Sequence, residues 1–400
     1  MEIFLIILAV FIGIILGLIT GLTPGIHINL IAAIIVAYSS YLLKLTDPIS
    51  ISIIITSMTI THTVSDIIPS TLLGIPDSEN LTMLLPAHKL TIEGKTKLAI
   101  YYGLIGSAIG IITTTLLSPL IIILIKIIYE KIKNHIGVLL IIISVFVIIK
   151  SKNKLYSLIF FITTGIIGIL SFNIKTIDQP LLPLLSGIFG LSVLILGIKN
   201  KIIIPEQKEV KINLTKKELI KYSTTTTIAS FLTNFLPGLT SSYTALLSNK
   251  ISKVKNQDHY ILLSNAANSS AIIISFIALF SIDKARSGAV ATIKFFLNEF
   301  NIINLILLIS ITLITLGIST LLAIKLTNKI IKYVNKIDYK KISISVIFLI
   351  ILLVIIMTKL EGLIILIITT SLGILAENLK IEKIALTGCL VLPVILYTLL

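Results

Sequence analysis

Long, unbroken apolar runs constrain this chain more than any other feature. They fall at about 2–22, 26–43, 49–68, 98–125, 136–149, 155–172 and 181–198, then at 222–236, 239–249, 259–281, 300–324, 342–358, 360–376 and 384–400, about fourteen in all. Most match the roughly 17–25 residues that a helix needs to cross about 30 Å of hydrocarbon. Those at 136–149 and 239–249 are short for a full crossing and read as tilted, broken or re-entrant. Hydrophobic residues make up 56% of the 400 and charged residues only 13%, against about 25% charged in a soluble domain. That balance excludes a soluble enzyme, a nucleic-acid-binding domain and a disordered chain. The expected fold is an all-α polytopic protein of the cell membrane, with the lipid bilayer as its first partner.

The formal net charge is +15. In a membrane protein such an excess collects in cytoplasmic loops, so no nucleic-acid partner is expected. The stretch 199–221 holds seven Lys against three Glu and reads as a cytoplasmic linker between a first membrane repeat, 1–198, and a second, 222–400. The single cysteine, Cys389, rules out an intrachain disulfide and a cysteine-rich metal site. The run Glu2–Thr20 lacks a basic leader and a small-residue cleavage site, so it reads as a first transmembrane helix.

Short patterns recur between the halves. Thr23-Pro24-Gly25-Ile26 returns as Leu236-Pro237-Gly238-Leu239, Gly168-Ile169-Leu170 as Gly373-Ile374-Leu375, and Leu185-Ser186-Gly187 as Leu386-Thr387-Gly388. About seven segments per half is an odd number, which inverts the second repeat relative to the first. With the linker inside, the inner loops 86–97, 150–154, 199–221, 250–258, 325–341 and 377–383 sum to +16. The outer loops 44–47, 126–135, 173–180, 283–299 and 359–361 sum to +3, the asymmetry expected of an inverted arrangement with both termini outside. Two inverted-topology repeats with Pro-Gly-broken or re-entrant helices are therefore expected.

Two places combine helix breakers with polar residues at membrane depth. In the first, Gly21-Leu22-Thr23-Pro24-Gly25-Ile26-His27-Ile28-Asn29 interrupts an apolar stretch. Proline and glycine release backbone groups that lipid cannot satisfy, and a helix starting at Pro24 would aim N–H groups and its positive dipole end at an anion. Asn234 to Tyr243, containing Pro237, Gly238, Thr240, Ser241 and Ser242, is the second copy. A tight surface hairpin fits the same residues.

In the second place, Thr61-His62-Thr63-Val64-Ser65-Asp66 ends an apolar helix ahead of Pro69 to Asn80. An ionisable residue in a membrane segment is a functional candidate by default. Asp66, with Ser65, Thr61 and Asp77, is the candidate for holding a coupling Na⁺ or proton. Alternatively, Asp66 caps the next helical piece and His62 makes one interhelical hydrogen bond. The equivalent stretch of the second half, Ser264-Asn265-Ala266-Ala267-Asn268-Ser269-Ser270, can bind a carboxylate or phosphate through neutral donors, or join two helices. No Walker A sequence or HExxH pairing occurs, and no Ser has a His and Asp in support. No enzymatic activity and no cofactor are expected.

These residues resemble the large membrane (permease) subunit of the tripartite tricarboxylate transporters, in a divergent archaeal-type form. The resemblance rests on Thr23-Pro24-Gly25, Gly74-Ile75-Pro76-Asp77-Ser78, Pro237-Gly238, Asn265-Ala266-Ala267-Asn268-Ser269, and Gly168 to Asn173 followed by Gln179 to Gly187. It spans essentially the whole chain. Asp77 replaces the family's glycine, Asn265 replaces a glutamate, and Ser281-Ile282-Asp283 stands where a second Gly-Ile-Pro would fall. The resemblance implies a secondary transporter for carboxylates such as citrate, driven by a cation gradient. It also implies a small membrane subunit and an extracytoplasmic binding protein as partners.

The expected solute site comprises Thr23, Pro24, Gly25, His27, Asn29, Gly74, Pro76, Ser78, Pro237, Gly238, Thr240, Ser241, Ser242, Asn265, Asn268 and Ser269. A translocase for a lipid-linked phosphate such as polyprenyl phosphate, and a scaffold without transport, are the alternatives. A homodimer is compatible with either transport reading.

Overall fold

A computed structural model describes residues 3–23, 26, 28–73, 84–177, 179–199, 205–208, 211–234, 239, 241–333 and 339–399. Among them the chain is helical, with no strand. The first half contains α1 (Ile3–Leu22), α2 (Ile28–Ala37), α3 (Ser39–Leu45), α4 (Pro48–Ser65), α5 (Ile67–Leu73), α6 (Leu84–Ile92), α7 (Thr96–Leu116), α8 (Ser118–Ile132), α9 (Ile136–Lys150) and α10 (Lys154–Asn173). Then α11 (Leu181–Leu185) passes through a π-helical turn, Ser186–Leu191, into α12 (Ser192–Lys199). The remaining helices are α13 (Lys216–Thr233), α14 (Ser241–Ser252), α15 (Gln257–Ile282), α16 (Gly288–Phe296), α17 (Ile302–Tyr333), α18 (Tyr339–Asn378) and α19 (Gly388–Leu399).

Nine stretches among the described residues are long and apolar enough to span a membrane. The difference from fourteen apolar runs has identifiable causes. Run 98–125 is α7 and α8, separated at Leu117, and α8 leads through a single 3₁₀ turn, Lys133–His135, into α9. Runs 342–358 and 360–376 are the two arms of α18, broken at Lys359 (φ 56°, ψ −154°). Both arms lie on the same part of the chain: Gly187 faces Leu366 and Thr369, and Gly190 faces Ile350, so the break reverses direction. Runs 222–236 and 239–249 fall in α13, which is too polar to count as a span, and α14, which is too short at 12 residues, although much of each is buried. The buried Thr233 of α13 bonds back to its own helix, Oγ1 donating to the Ala229 carbonyl at 2.9 Å. Side chains satisfied in this way can be buried without a partner helix supplying acceptors.

The protein is apolar on its surface, and its interior holds polar side chains within an apolar core. Large side chains such as Ile15, Leu116 and Ile123 are exposed, as they must be where lipid replaces water. The α15 span is 89% buried and the Pro48–Leu72 span 83%, whereas Ser118–Lys150 is 22% buried. So α4, α5, α7 and α15 form the centre. Small residues let these backbones approach, the usual basis of helix association in lipid. Gly13, Gly17 and Gly21 set α1 against α4, where an added β-carbon at Gly13 would come 2.6 Å from the Ile54 carbonyl. Gly106 and Gly110 seat α7 on Leu262 and Ala266 of α15 in the same order along both helices, so the two run parallel. The direction continues in α8, whose Lys126 Nζ lies 5.9 Å from the Phe280 ring centre. In the same manner α17 packs on α4, while α6 lies on α15 and α16 on α4.

The segment after α12 docks on this centre. Lys208 N–H donates to the Gly94 carbonyl at 2.8 Å, and the Gln207 side chain accepts from Thr96 N–H at 3.0 Å. Tyr102 and His259 then hold Asn213: the Tyr102 hydroxyl donates to its carbonyl at 2.9 Å, and His259 Nε2 lies 3.1 Å from the same oxygen. A capping box of Thr215 and Glu218 starts α13 immediately afterwards.

Candidate functional site

The end of α4 is built from side chains that face three neighbours. Thr61 Oγ1 pairs with Ser319 Oγ of α17 at 2.7 Å, one turn beyond the pairing of Ser57 with Thr315 at 3.2 Å. His62 Nδ1 lies 3.1 Å from Thr20 Oγ1 of α1, an interhelical hydrogen bond. Ser65 Oγ donates to the Thr61 carbonyl at 2.5 Å. Asp66 stands between α4 and α5; its N–H donates to the His62 carbonyl at 2.8 Å and its Oδ2 accepts from Ser70 Oγ at 3.0 Å. A partly buried carboxylate is thereby held at the junction of two helices in an otherwise apolar span.

Helix α7 connects this junction to the second half. A β-carbon on Gly103 would fall 2.9 Å from Ile67 Cγ2 and 3.2 Å from Asn265 Nδ2. The residue next to Asp66 and the first asparagine of α15 therefore meet across one glycine. Asn265 Nδ2 also donates to the Ile261 carbonyl at 2.9 Å. Ser241 Oγ at the start of α14 donates to Asn268 Oδ1 at 3.1 Å, adding the helix that follows the second Pro-Gly break. Ser242 is buried beside it.

One turn beyond Gly103 and Asn265 on these parallel helices lie Ser107 and Ser269, both fully buried, with hydroxyls that have no hydrogen-bond partner among the described residues. Sealed hydroxyls of this kind ask for a bound water, ion or solute. Gly103 and Ser107 were not singled out by sequence; the Gly103, Gly106, Gly110 spacing in α7 was the available signal. On α6, Thr91 Oγ1 donates to the Thr71 carbonyl of α5 at 3.0 Å, and burial pushes the neighbouring His88 imidazole below its ordinary value.

Other expected site residues are placed less fully. Thr23 Oγ1 donates to the Ile19 carbonyl at 2.6 Å. Asn29 lies in the first turn of α2, and its side chain lies outside the described residues. Pro24, Gly25, His27, Gly74, Pro76, Asp77, Ser78, Pro237, Gly238 and Thr240 also lie outside them. Among the described residues, no group of three or more His, Cys, Asp and Glu side chains converges as a metal site. The residues described around these helices offer one carboxylate, at Asp66, and amides and hydroxyls on α14 and α15.

The model of the tripartite tricarboxylate transporter TctA family matches residues 7–388. An uncharacterized protein of Methanocaldococcus jannaschii is 28% identical over 349 residues, covering 85% of this chain and 86% of that one. No solved structure matches. With nearly all of its length matched, this chain belongs to the tripartite tricarboxylate transporter TctA family and is a multi-pass membrane permease for carboxylate-type anionic solutes, coupled to an ion.

Proposed function

We propose that the solute binds between two inverted repeats, 1–198 and 222–400, joined by the 199–221 linker, and that Asp66 carries the coupling Na⁺ or proton. The observation that supports this reading is that Ile67, the residue after Asp66, and Asn265 of the second half both pack against α7 at Gly103. Coupling requires such a link, because the ion must bias the state that binds solute. The paired contacts of α7 with α15 and α17 with α4, and of α6 with α15 and α16 with α4, support a repeat with reciprocal packing. Helix starts at Pro24 and Pro237 would supply N–H groups to the anion, with Thr23, Asn29, Gly74, Pro76, Ser78, Ser241, Ser242, Asn268 and Ser269 around it. Thr61, Ser65 and Asp77 would complete the cation side. The word tripartite in the family name supports a small membrane subunit and an extracytoplasmic binding protein as partners.

Uptake of labelled citrate, succinate and a broader carboxylate panel into proteoliposomes tests the reading, with imposed Na⁺ or proton gradients. Gradient-dependent uptake is expected. Asp66→Asn keeps the acceptor for Ser70 and removes the charge, so it should abolish the gradient dependence while leaving solute exchange measurable. An Asp66→Asn protein that still concentrates solute would remove Asp66 from the coupling role.

A further inference from the structure

The chain supplies positive charge with lysine at 32 of its 33 basic positions and has a single arginine, Arg286. It lies on the connection from α15 to α16, which is braced on both sides. Asp283 turns the chain in the left-handed region, φ 52°. Lys294 of α16 returns to it, with Nζ 2.6 Å from Asp283 Oδ2 and donating to the Asp283 carbonyl at 2.9 Å. Ser287 Oγ accepts from the Val290 N–H at 3.2 Å and caps α16, and Ala285 packs on the main apolar core. The carboxylate nearest to Arg286 in sequence is thus already paired with lysine.

Arg286 itself makes no ion pair among the described residues. Its Nε is sealed from solvent without a hydrogen-bond partner among the described residues, yet the residue as a whole stays partly exposed. The group that reaches it electrostatically is the Tyr129 phenol of α8, and Lys126, one turn earlier, faces Phe280. Burial lowers the guanidinium below its ordinary value, but arginine stays charged at physiological pH. A partly desolvated cation without a counter-ion among the described residues is costly until an anion completes it. The planar fork of a guanidinium pairs with both oxygens of a carboxylate, which the point charge of lysine does not. The helix that Arg286 precedes, α16, packs on α2 and α4. In the second half, Ser281–Ser287 stands where Gly74–Asn80 stands in the first.

We propose that Arg286 is the receptor for a carboxylate group of the transported solute, held ready on the braced connection between α15 and α16. The inference rests on the carboxylate-permease reading. Because the chain has one arginine, 2,3-butanedione in borate reports on this site in the unmodified protein. Mass spectrometry of the Arg286 peptide, in neutral detergent, would follow the modification rate with citrate, succinate, inorganic phosphate or chloride present. Citrate or succinate should slow modification at least about tenfold relative to chloride. Uptake by Arg286→Gln should show a KM raised by at least about tenfold, with Arg286→Lys recovering only part of it.

Wild-type uptake of carboxylates with no protection of Arg286 and an unchanged KM in Arg286→Gln overturns this inference alone. Absence of carboxylate uptake by the wild type overturns the permease reading and this inference with it. Protection by phosphate but by neither carboxylate also overturns it. So does protection in phosphatidylglycerol vesicles that added citrate does not increase, which would make the arginine a lipid-headgroup contact.

Discussion

Asn265 Nδ2 lies 3.2 Å from the position that a β-carbon on Gly103 would occupy, and Ile67 Cγ2 lies 2.9 Å from it. Gly103→Ala must therefore displace the asparagine, the isoleucine or both. Overpacking of this kind costs about 1–3 kcal/mol. The expected outcome is a protein that inserts but loses most of its carboxylate uptake. Gly317→Ala on α17 is the matched control, because its β-carbon would meet nothing within 4 Å. Replacing glycine by alanine in a helix interior favours the helix by about 0.5–1 kcal/mol, so uptake and melting temperature should be preserved. Equal uptake by Gly103→Ala and wild type would separate the Ile67–Asn265 contact from transport.

Asp47 links α4 stability to pH. Burial alone would raise its carboxyl, but hydrogen bonds from Ser50 Oγ and the Ser50 and Ile49 N–H groups outweigh this and hold it below 3.8. A folded-state value lower than the unfolded one contributes stability above the unfolded value, lost as pH falls through the folded one. Thermal melting in detergent should therefore drop below about pH 4, and less steeply in Asp47→Asn. Asp47→Ala should cost about 1 kcal/mol at neutral pH; an unchanged melting temperature would remove the cap from the account.

Tyr102 fastens the segment between the repeats. Its hydroxyl donates to the Asn213 carbonyl at 2.9 Å and accepts from the Asn213 N–H at 3.1 Å. Tyr102→Phe leaves that N–H without its partner, at a cost of about 1–3 kcal/mol. His259 Nε2 still reaches the carbonyl, so the segment should loosen and not detach. Limited proteolysis near 205–215 should accelerate several-fold relative to wild type, and an identical cleavage rate would speak against the fastening.

Topology can be read with thiol reagents, because Cys389 is the only cysteine and is buried. Lys253→Cys and Lys332→Cys should label from the cytoplasm, and Lys133→Cys and Glu299→Cys from outside. Labelling of Lys133→Cys and Lys332→Cys from the same side would contradict inversion of the repeats.

Much of this protein was legible in its chain. Hydropathy and helix breakers are local properties, so the apolar runs revealed an all-helical membrane protein, and the residues around Thr23, Gly74, Pro237 and Asn265 carried the family. Asp66 stood out because a carboxylate is rare in such a run. The tertiary structure alone decided how those residues pair. The closeness of Ile67, Gly103 and Asn265 depends on how α5, α7 and α15 approach, and a glycine in an apolar helix looks the same whether it faces lipid or a neighbour. Burial of α13 likewise depends on its packing against α7, α14 and α15, which hydropathy along the chain does not report. That Arg286 makes no ion pair among the described residues, while Lys294 pairs with Asp283, is likewise set by the fold of one loop and not by spacing along the chain.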